Sequence, residues 1–200
     1  ILQGIVARLE DDDWYVRREA IEALQVRADL TEGMLQGIVA RLEDKEGRVR
    51  QAAIEALQGR ADLTEGMLQG IVARLEDEDG FVRLAAIQAL QGRADLTERI
   101  LQGVAARLKD KEGFVRRAAI EALQDRADLT EGMLQGIAAR LKDEYGFVRQ
   151  AAIQALQGRA DLTEGMLQGI VARLKDKDRF VRQVAIEALQ GRADLTEGML

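Results

Sequence analysis

Apolar residues in this chain recur at a helical spacing. Placed at roughly 100° per residue from Thr64, Met67, Leu68, Ile71, Val72 and Leu75 share one arc of roughly 140°. Glu65, Gly66, Gln69, Gly70 and Ala73 take the opposite side. The pattern predicts a first helix from Asp62-Leu63-Thr64-Glu65 to about Glu76. Either Asp62 or Thr64 can serve as its N-cap, and Asp62 with Glu65 has capping-box spacing. Asp77-Glu78-Asp79-Gly80 reads as a connector. A second helix is predicted from about Phe81 to Gln91, with Val82, Ala86, Ile87, Ala89 and Leu90 on its core arc and Gly92 as its stop. Helices of about 11 to 13 residues do not persist alone in water, so these must be held by docking on their neighbours.

The pair of helices is repeated. Leu-Gln-Gly begins at Leu2, Leu35, Leu68, Leu101, Leu134 and Leu167, a step of 33 residues each time. The repeats are 2–34, 35–67, 68–100, 101–133, 134–166 and 167–199, read as one domain over residues 1–200. A period of this size marks a solenoid or array. The expected fold is all-α, an α-α superhelix of six two-helix repeats. Strands are not expected, because no stretch alternates with period two. Charges interrupt every apolar run well short of the roughly 18 residues that suggest a membrane span. No signal peptide is visible. The Thr-Pro-Leu-His signature of ankyrin repeats and the Trp and Tyr pattern of tetratricopeptide repeats are absent. Neither end carries an altered, polar repeat, so the chain reads as a slice of a longer array or an engineered piece of one.

Composition narrows the chemistry. The 200 residues include no Cys, His, Pro, Ser or Asn. This rules out a disulfide framework, a Cys/His metal site, a Ser or Cys nucleophile and a His general base. Neither a metal nor a cofactor is expected, and the reading is of a protein that is not an enzyme. With 29 basic and 35 acidic side chains the net charge is −6, which does not favour nucleic acid. The expected location is cytoplasmic, away from membranes.

The segment DEDGFVRLAAIQAL, residues 77–90, resembles HEAT-like repeats, whose mark is an Asp, then Val-Arg, then spaced Ala and Leu. The resemblance extends over all six repeats. It implies structural roles for the turn residues Asp11, Asp44, Asp77, Asp110, Asp143 and Asp176, and for Arg17, Arg50, Arg83, Arg116, Arg149 and Arg182. The Pro that is frequent in that family is missing here. The near-identity of the copies is also similar to the HEAT-like arrays of fungal NLR-type signalling ATPases, which implies a ligand-sensing array within a larger signalling protein. Engineered HEAT-like arrays share the same regularity.

Comparing the six copies separates two kinds of position. The Arg17 series never changes and reads as a ladder of Asp–Arg pairs that fixes register along the stack. Variation gathers on the second helix. One position reads Tyr15, Arg48, Phe81, Phe114, Phe147 and Phe180; three residues on are Arg18, Gln51, Leu84, Arg117, Gln150 and Gln183. The next position is Glu19, Val184, or Ala as in Ala85. It is followed by a Glu or Gln position, as in Glu22, and by one reading Val26, Gly59 or Asp125. All five are expected on one arc of roughly 100° facing away from the core. In HEAT-like solenoids the second helix lines the concave side, so the strip is expected along an inner groove. With Trp14 and Tyr145, the Tyr and Phe rings account for all seven aromatics of the chain. Trp14 and the residues of the first two variable positions are the candidate partner-binding set. Exposed rings beside Arg and Gln suit a protein or peptide partner; alternatively each ring folds over the connector of the neighbouring repeat.

On the first helix Gln3, Gly4, Ala7 and Arg8 are expected on an exposed face and recur unchanged, which suggests that variation on the second helix is not drift alone. The Gly66–Gly70 spacing points to close approach of a neighbouring helix, because a helical Gly costs roughly 1 kcal/mol. The first repeat holds four basic and eight acidic side chains, and the last holds six and five. Such opposite ends invite head-to-tail self-association. Two functional readings stand: a binding array tuned by the variable strip, or a structural or engineered scaffold that self-assembles and has no dedicated ligand.

Overall fold

The structure, a computed structural model, describes residues 2–192 and 195. Contacts divide the chain into two compact units, residues 1–96 and 97–200, each holding three helix pairs. Among the described residues the structure is entirely helical apart from turns. Unit 1 contains α1 (Leu2–Val6), α2 (Trp14–Gln25), α3 (Glu32–Ala40), α4 (Gly47–Leu57), α5 (Glu65–Ala73) and α6 (Gly80–Leu90). Unit 2 contains α7 (Glu98–Ala106), α8 (Gly113–Leu123), α9 (Glu131–Ala139), α10 (Gly146–Leu156), α11 (Glu164–Ala172) and α12 (Arg179–Leu189). The odd-numbered helices are the first of each pair. The expected fold class, an all-α solenoid of six two-helix repeats, is the one observed.

The ends of each helix follow local chemistry. Of the two candidate caps, Thr64 is the one used: its hydroxyl accepts the Met67 N–H at 3.4 Å. Thr31, Thr97, Thr130 and Thr163 do the same. Asp62 instead receives Nε and Nη2 of Arg60 at 3.0 and 2.8 Å. Each first helix closes in a 3-10 turn, such as Arg74–Glu76, satisfying its last carbonyls by a tighter winding. In the four middle repeats the second helix starts at Gly, one residue earlier than predicted, so the variable ring is its second residue.

The second helices stop at a left-handed residue. Gly59, Gly92, Gly158 and Gly191 have φ of 73, 75, 73 and 76°, and Asp125 adopts 62° in the same place. Val26 is β-branched and takes φ −77°, so α2 runs one residue further than its counterparts. Variation at this position therefore concerns how a helix ends. The position is nevertheless exposed in all six copies, Val26 at 86%.

Within each unit the second helices pack closely side by side, α2 on α4 on α6 and α8 on α10 on α12, whereas the first helices touch each other sparsely. Small residues at these contacts, Ala52, Ala53 and Ala56 among them, let the axes approach. This corrects the expectation for the third variable position. Ala52, Ala85, Ala118 and Ala151 are buried and not in an open groove. The aliphatic core runs through both helices: Ile38, Leu42, Ile54 and Leu57 are buried, each such side chain contributing about 1.5–3 kcal/mol.

Candidate partner-binding surface

The invariant residues tie repeat to repeat. Arg17 Nε and Nη2 donate to Oδ2 and Oδ1 of Asp44, in the next repeat, at 2.7 and 2.8 Å. Its Nη1 donates to the carbonyls of Asp11 and Asp12, in its own connector, at 2.7 and 3.0 Å. The same fork joins Arg50 to Asp77, Arg116 to Asp143 and Arg149 to Asp176. Each of these Asp side chains also accepts the N–H two residues on, as Asp44 does from Glu46 at 3.0 Å, which holds the connector in a turn. Burial pushes the Asp44 carboxyl up, but the Arg17 guanidinium, the Glu46 N–H and Arg41 together bring it below the ordinary carboxylate range. Asp176 behaves alike, with Arg149 and Arg173 as its cations. The Asp44 hydrogen bond in turn raises the Arg17 guanidinium. The ladder expected from sequence is present, and each pair links one repeat to the next.

The candidate binding residues fall into exposed and half-covered sets. Tyr15, Phe81, Phe147 and Phe180 remain 52, 58, 39 and 50% exposed, and Arg48, Arg117 and Gln183 are also exposed. Trp14, Arg18, Gln51, Leu84, Phe114 and Gln150 are half-buried. In unit 1 the Trp14 ring meets Tyr15 edge-on at 5.9 Å, the Arg18 guanidinium lies 5.6 Å from the Tyr15 centroid, and that of Arg48 lies 5.7 Å from the Trp14 centroid. In unit 2 Tyr145 stacks on Phe147 at 5.3 Å. A Cβ on Gly113 would lie 2.6 Å from Tyr145 Cδ2 and 3.2 Å from Phe147 Cζ. These two rings thus fold over the preceding repeat's connector, as the second alternative expects, while Phe147 stays 39% exposed. At Phe180 the Arg179 guanidinium sits 4.5 Å above the ring.

A family model for HEAT repeats matches residues 2–91 and again 68–157. The chain belongs to the HEAT repeat family. No curated protein matches it in sequence. Among solved structures, YibA of Escherichia coli is 22% identical with a TM-score of 0.73, over 94% of this chain and 69% of that one. A designed armadillo repeat protein in complex with the peptide (KR)4 is 18% identical with a TM-score of 0.63, over 94% and 98%. An engineered protein is 19% identical with a TM-score of 0.63, over 94% and 96%. At these identities the likeness is one of fold.

In these HEAT repeats the first-helix residues are less free than their regular recurrence suggests. Arg41 and Arg74 extend back to the preceding repeat, donating Nη1 to the carbonyls of Leu9 and Leu42 at 3.0 and 3.2 Å. Nε of Arg41, Arg74, Arg107, Arg140 and Arg173 is buried with no hydrogen-bond partner, a cost that the helix packing must offset. Gly70 receives Leu42, whose Cδ1 would lie 2.9 Å from an added Cβ. The invariance of the Arg8 and Gly4 series is thus a packing requirement, and it does not measure drift on an open face.

Two further features were not anticipated. Arg60 pairs with Asp62 and donates Nη1 to the Arg27 carbonyl 33 residues earlier at 3.1 Å; Arg93 and Arg159 make the same contacts. The unvarying Arg-Ala-Asp triplet carried that signal. The residue before the turn Asp is Glu10, Glu43 and Glu76 in unit 1 but Lys109, Lys142 and Lys175 in unit 2. In unit 1 a recess of about 450 Å³ between connectors is accordingly lined by Glu43, Glu76 and Glu78 around the Arg–Asp pair. Its counterpart of about 340 Å³ in unit 2 is lined by Lys175 and Lys177 together with Glu144.

Among the described residues no group of acidic side chains is placed to hold a metal ion, and no helix is long and apolar enough to cross a membrane.

Proposed function

We propose that this chain is a protein- or peptide-binding scaffold whose contact surface is the variable strip at the start of the second helices. The observation that carries the reading is the ring position itself, where Tyr15, Phe81, Phe147 and Phe180 stay about half exposed. Solvent-exposed rings are costly to keep, and with Arg18, Arg48 and Arg117 beside them they form the kind of anchor that dominates binding energy. The designed armadillo neighbour holding a (KR)4 peptide lends support, since it shares the helix-pair stacking that presents such a surface. The buried Arg–Asp pairs are engaged in joining repeats, so no catalytic role is assigned to them.

A random-peptide display selection followed by titration calorimetry tests this. Phe81→Ala, Phe180→Ala and Arg117→Ala are each expected to weaken a selected peptide by about tenfold or more, while the melting temperature stays nearly unchanged. Peptides that bind all three variants as tightly as the parent chain would remove the strip from the binding surface. A purely structural scaffold is the second reading, favoured by the regularity of the Arg–Asp ties and the likeness to engineered repeat proteins.

A further inference from the structure

All six lysines of the chain stand at the connectors, and five of them belong to unit 2: Lys109, Lys111, Lys142, Lys175 and Lys177. These five are exposed, and none forms an ion pair among the described residues. Arginines do the joining of repeats instead, as Arg116 and Arg149 do, and the compact lysine charges are left to solvent. The exposure belongs to the position. Glu43 and Lys142 each sit in the middle repeat of their unit, with a repeat packed on either side, and both are exposed.

Two recesses between connectors share one floor and differ at the rim. In unit 1 the floor is the Arg50–Asp77 fork with Arg74, which comes within 3.7 Å of Asp77. In unit 2 it is the Arg149–Asp176 fork with Arg173, 3.3 Å from Asp176. The rim carries Glu76 and Glu78 in unit 1, and Lys175 and Lys177 at the same repeat positions in unit 2. Five acidic and two basic side chains line the first recess, against three and four in the second. One cavity therefore repels anions and the other attracts them.

We propose that the recess between the connectors of the fifth and sixth repeats seats an acidic side chain of a partner polypeptide, whose chain follows the lysines of unit 2. Complementary charge names the occupant. A cavity of about 340 Å³ holds a Glu or Asp side chain with water around it. Repeats about 10 Å apart match about three residues of extended chain, so an acidic residue or pair in every three meets Lys142 and Lys109 in turn. A nucleic acid fits less well. Its phosphates follow one another without gaps, whereas Glu112, Glu144 and Asp178 interrupt the lysines. A polypeptide can set neutral residues opposite those carboxylates. Each exposed pair is weak, so the contact is sensitive to salt. No residue of the ring strip takes part.

Fluorescence anisotropy of a labelled peptide of four Glu-Glu-Gly units, titrated with the 200-residue chain, tests the proposal. Binding is expected at about 20 mM salt and is expected to weaken about tenfold by about 200 mM. Lys175→Glu with Lys177→Glu gives the recess the rim of its unit 1 counterpart, and is expected to weaken binding about tenfold at low salt. Unit 1 already carries both glutamates over the same floor, so the exchange should leave the melting temperature nearly unchanged, which circular dichroism checks. Glu76→Lys with Glu78→Lys builds a second basic recess and is expected to tighten binding about threefold. Phe81→Ala, which tests the ring strip, should leave the affinity for this peptide as it is. No binding at low salt, binding that neither rim exchange alters, or tighter binding of a thymidine dodecanucleotide than of the peptide would overturn the proposal.

Discussion

Arg116 and Arg117 are neighbours in the chain and belong to different parts of the molecule. Arg116 is buried, forks onto Asp143 of the next repeat at 2.8 Å, and donates to the carbonyls of Asp110 and Lys111 at 2.8 and 3.2 Å. Arg117 is exposed and pairs with Glu121, one turn along its own helix, at 2.6 Å. Across the six copies the Arg116 position never varies, whereas the Arg117 position is Arg, Gln or Leu. One residue of helical rotation thus separates a side chain that joins two repeats from one that can be changed without consequence for the fold. Near-identical repeats make this contrast readable from one chain, although exposure alone does not free a position: Gln36, Gln69 and Gln135 are exposed and unvarying.

Breaking the first side of the comparison has the largest expected effect. Arg116→Ala strands the buried Asp143 carboxylate and removes the donor from two connector carbonyls, so it is expected to cost about 3–5 kcal/mol. Arg117→Ala removes one exposed pair within a helix and is expected to cost no more than about 0.5 kcal/mol. Urea unfolding monitored by circular dichroism measures both. Equal losses for the two variants would mean that the ladder only marks register and does not hold the repeats.

The sequence made the helix pairs, their six-fold recurrence and the Asp–Arg ladder legible, because each rests on periodicity or on a residue that never changes. The variable strip was legible only in part. Period alone put the position of Ala85 in the same arc as Phe81, but the second helices approach so closely that Ala85 is buried between them. The Val26 and Asp125 position is surface variation, as expected, but its second role was not legible: it governs whether the chain turns left-handed after the helix. The sheltered Arg41 series was read as an open face, because helical rotation does not reveal a long side chain folding back on the preceding repeat.

Acid sharpens the contrast more gently. The Asp44 and Asp176 carboxyls lie below the ordinary range in the folded chain, where burial, which raises them, is outweighed by their Arg partners and by N–H donors. A carboxyl depressed on folding contributes stability that is fully present above its unfolded pKa and is lost as pH falls through its folded pKa. The melting temperature is therefore expected to hold from neutral pH down to about pH 4 and to fall progressively below it. Asp44→Asn with Asp176→Asn should flatten that acid limb and lower stability at neutral pH. An acid limb unchanged by the pair would assign it to exposed carboxylates such as Asp62 and Asp95.

The smallest expected effect tests the same contrast on two glycines of one helix. Gly132 and Gly136 both lie in α9, four residues apart, and both recur in most repeats. A Cβ at Gly132 would meet only Thr130 Oγ1 at 3.9 Å, whereas at Gly136 it would lie 2.9 Å from Leu108 Cδ1. The third repeat already carries Arg99 at the position equivalent to Gly132, and no copy replaces the Gly136 position. Gly132→Ala gains helix propensity with nothing in its way and is expected to stabilise by about 0.5 kcal/mol. Gly136→Ala makes the same gain but displaces the leucine of the preceding repeat from its seat, and is expected to lose about 1 kcal/mol overall. Differential scanning calorimetry should move the two melting temperatures in opposite directions. A rise for both would show that the leucine yields freely, and that the glycine is held constant by something other than the contact it receives.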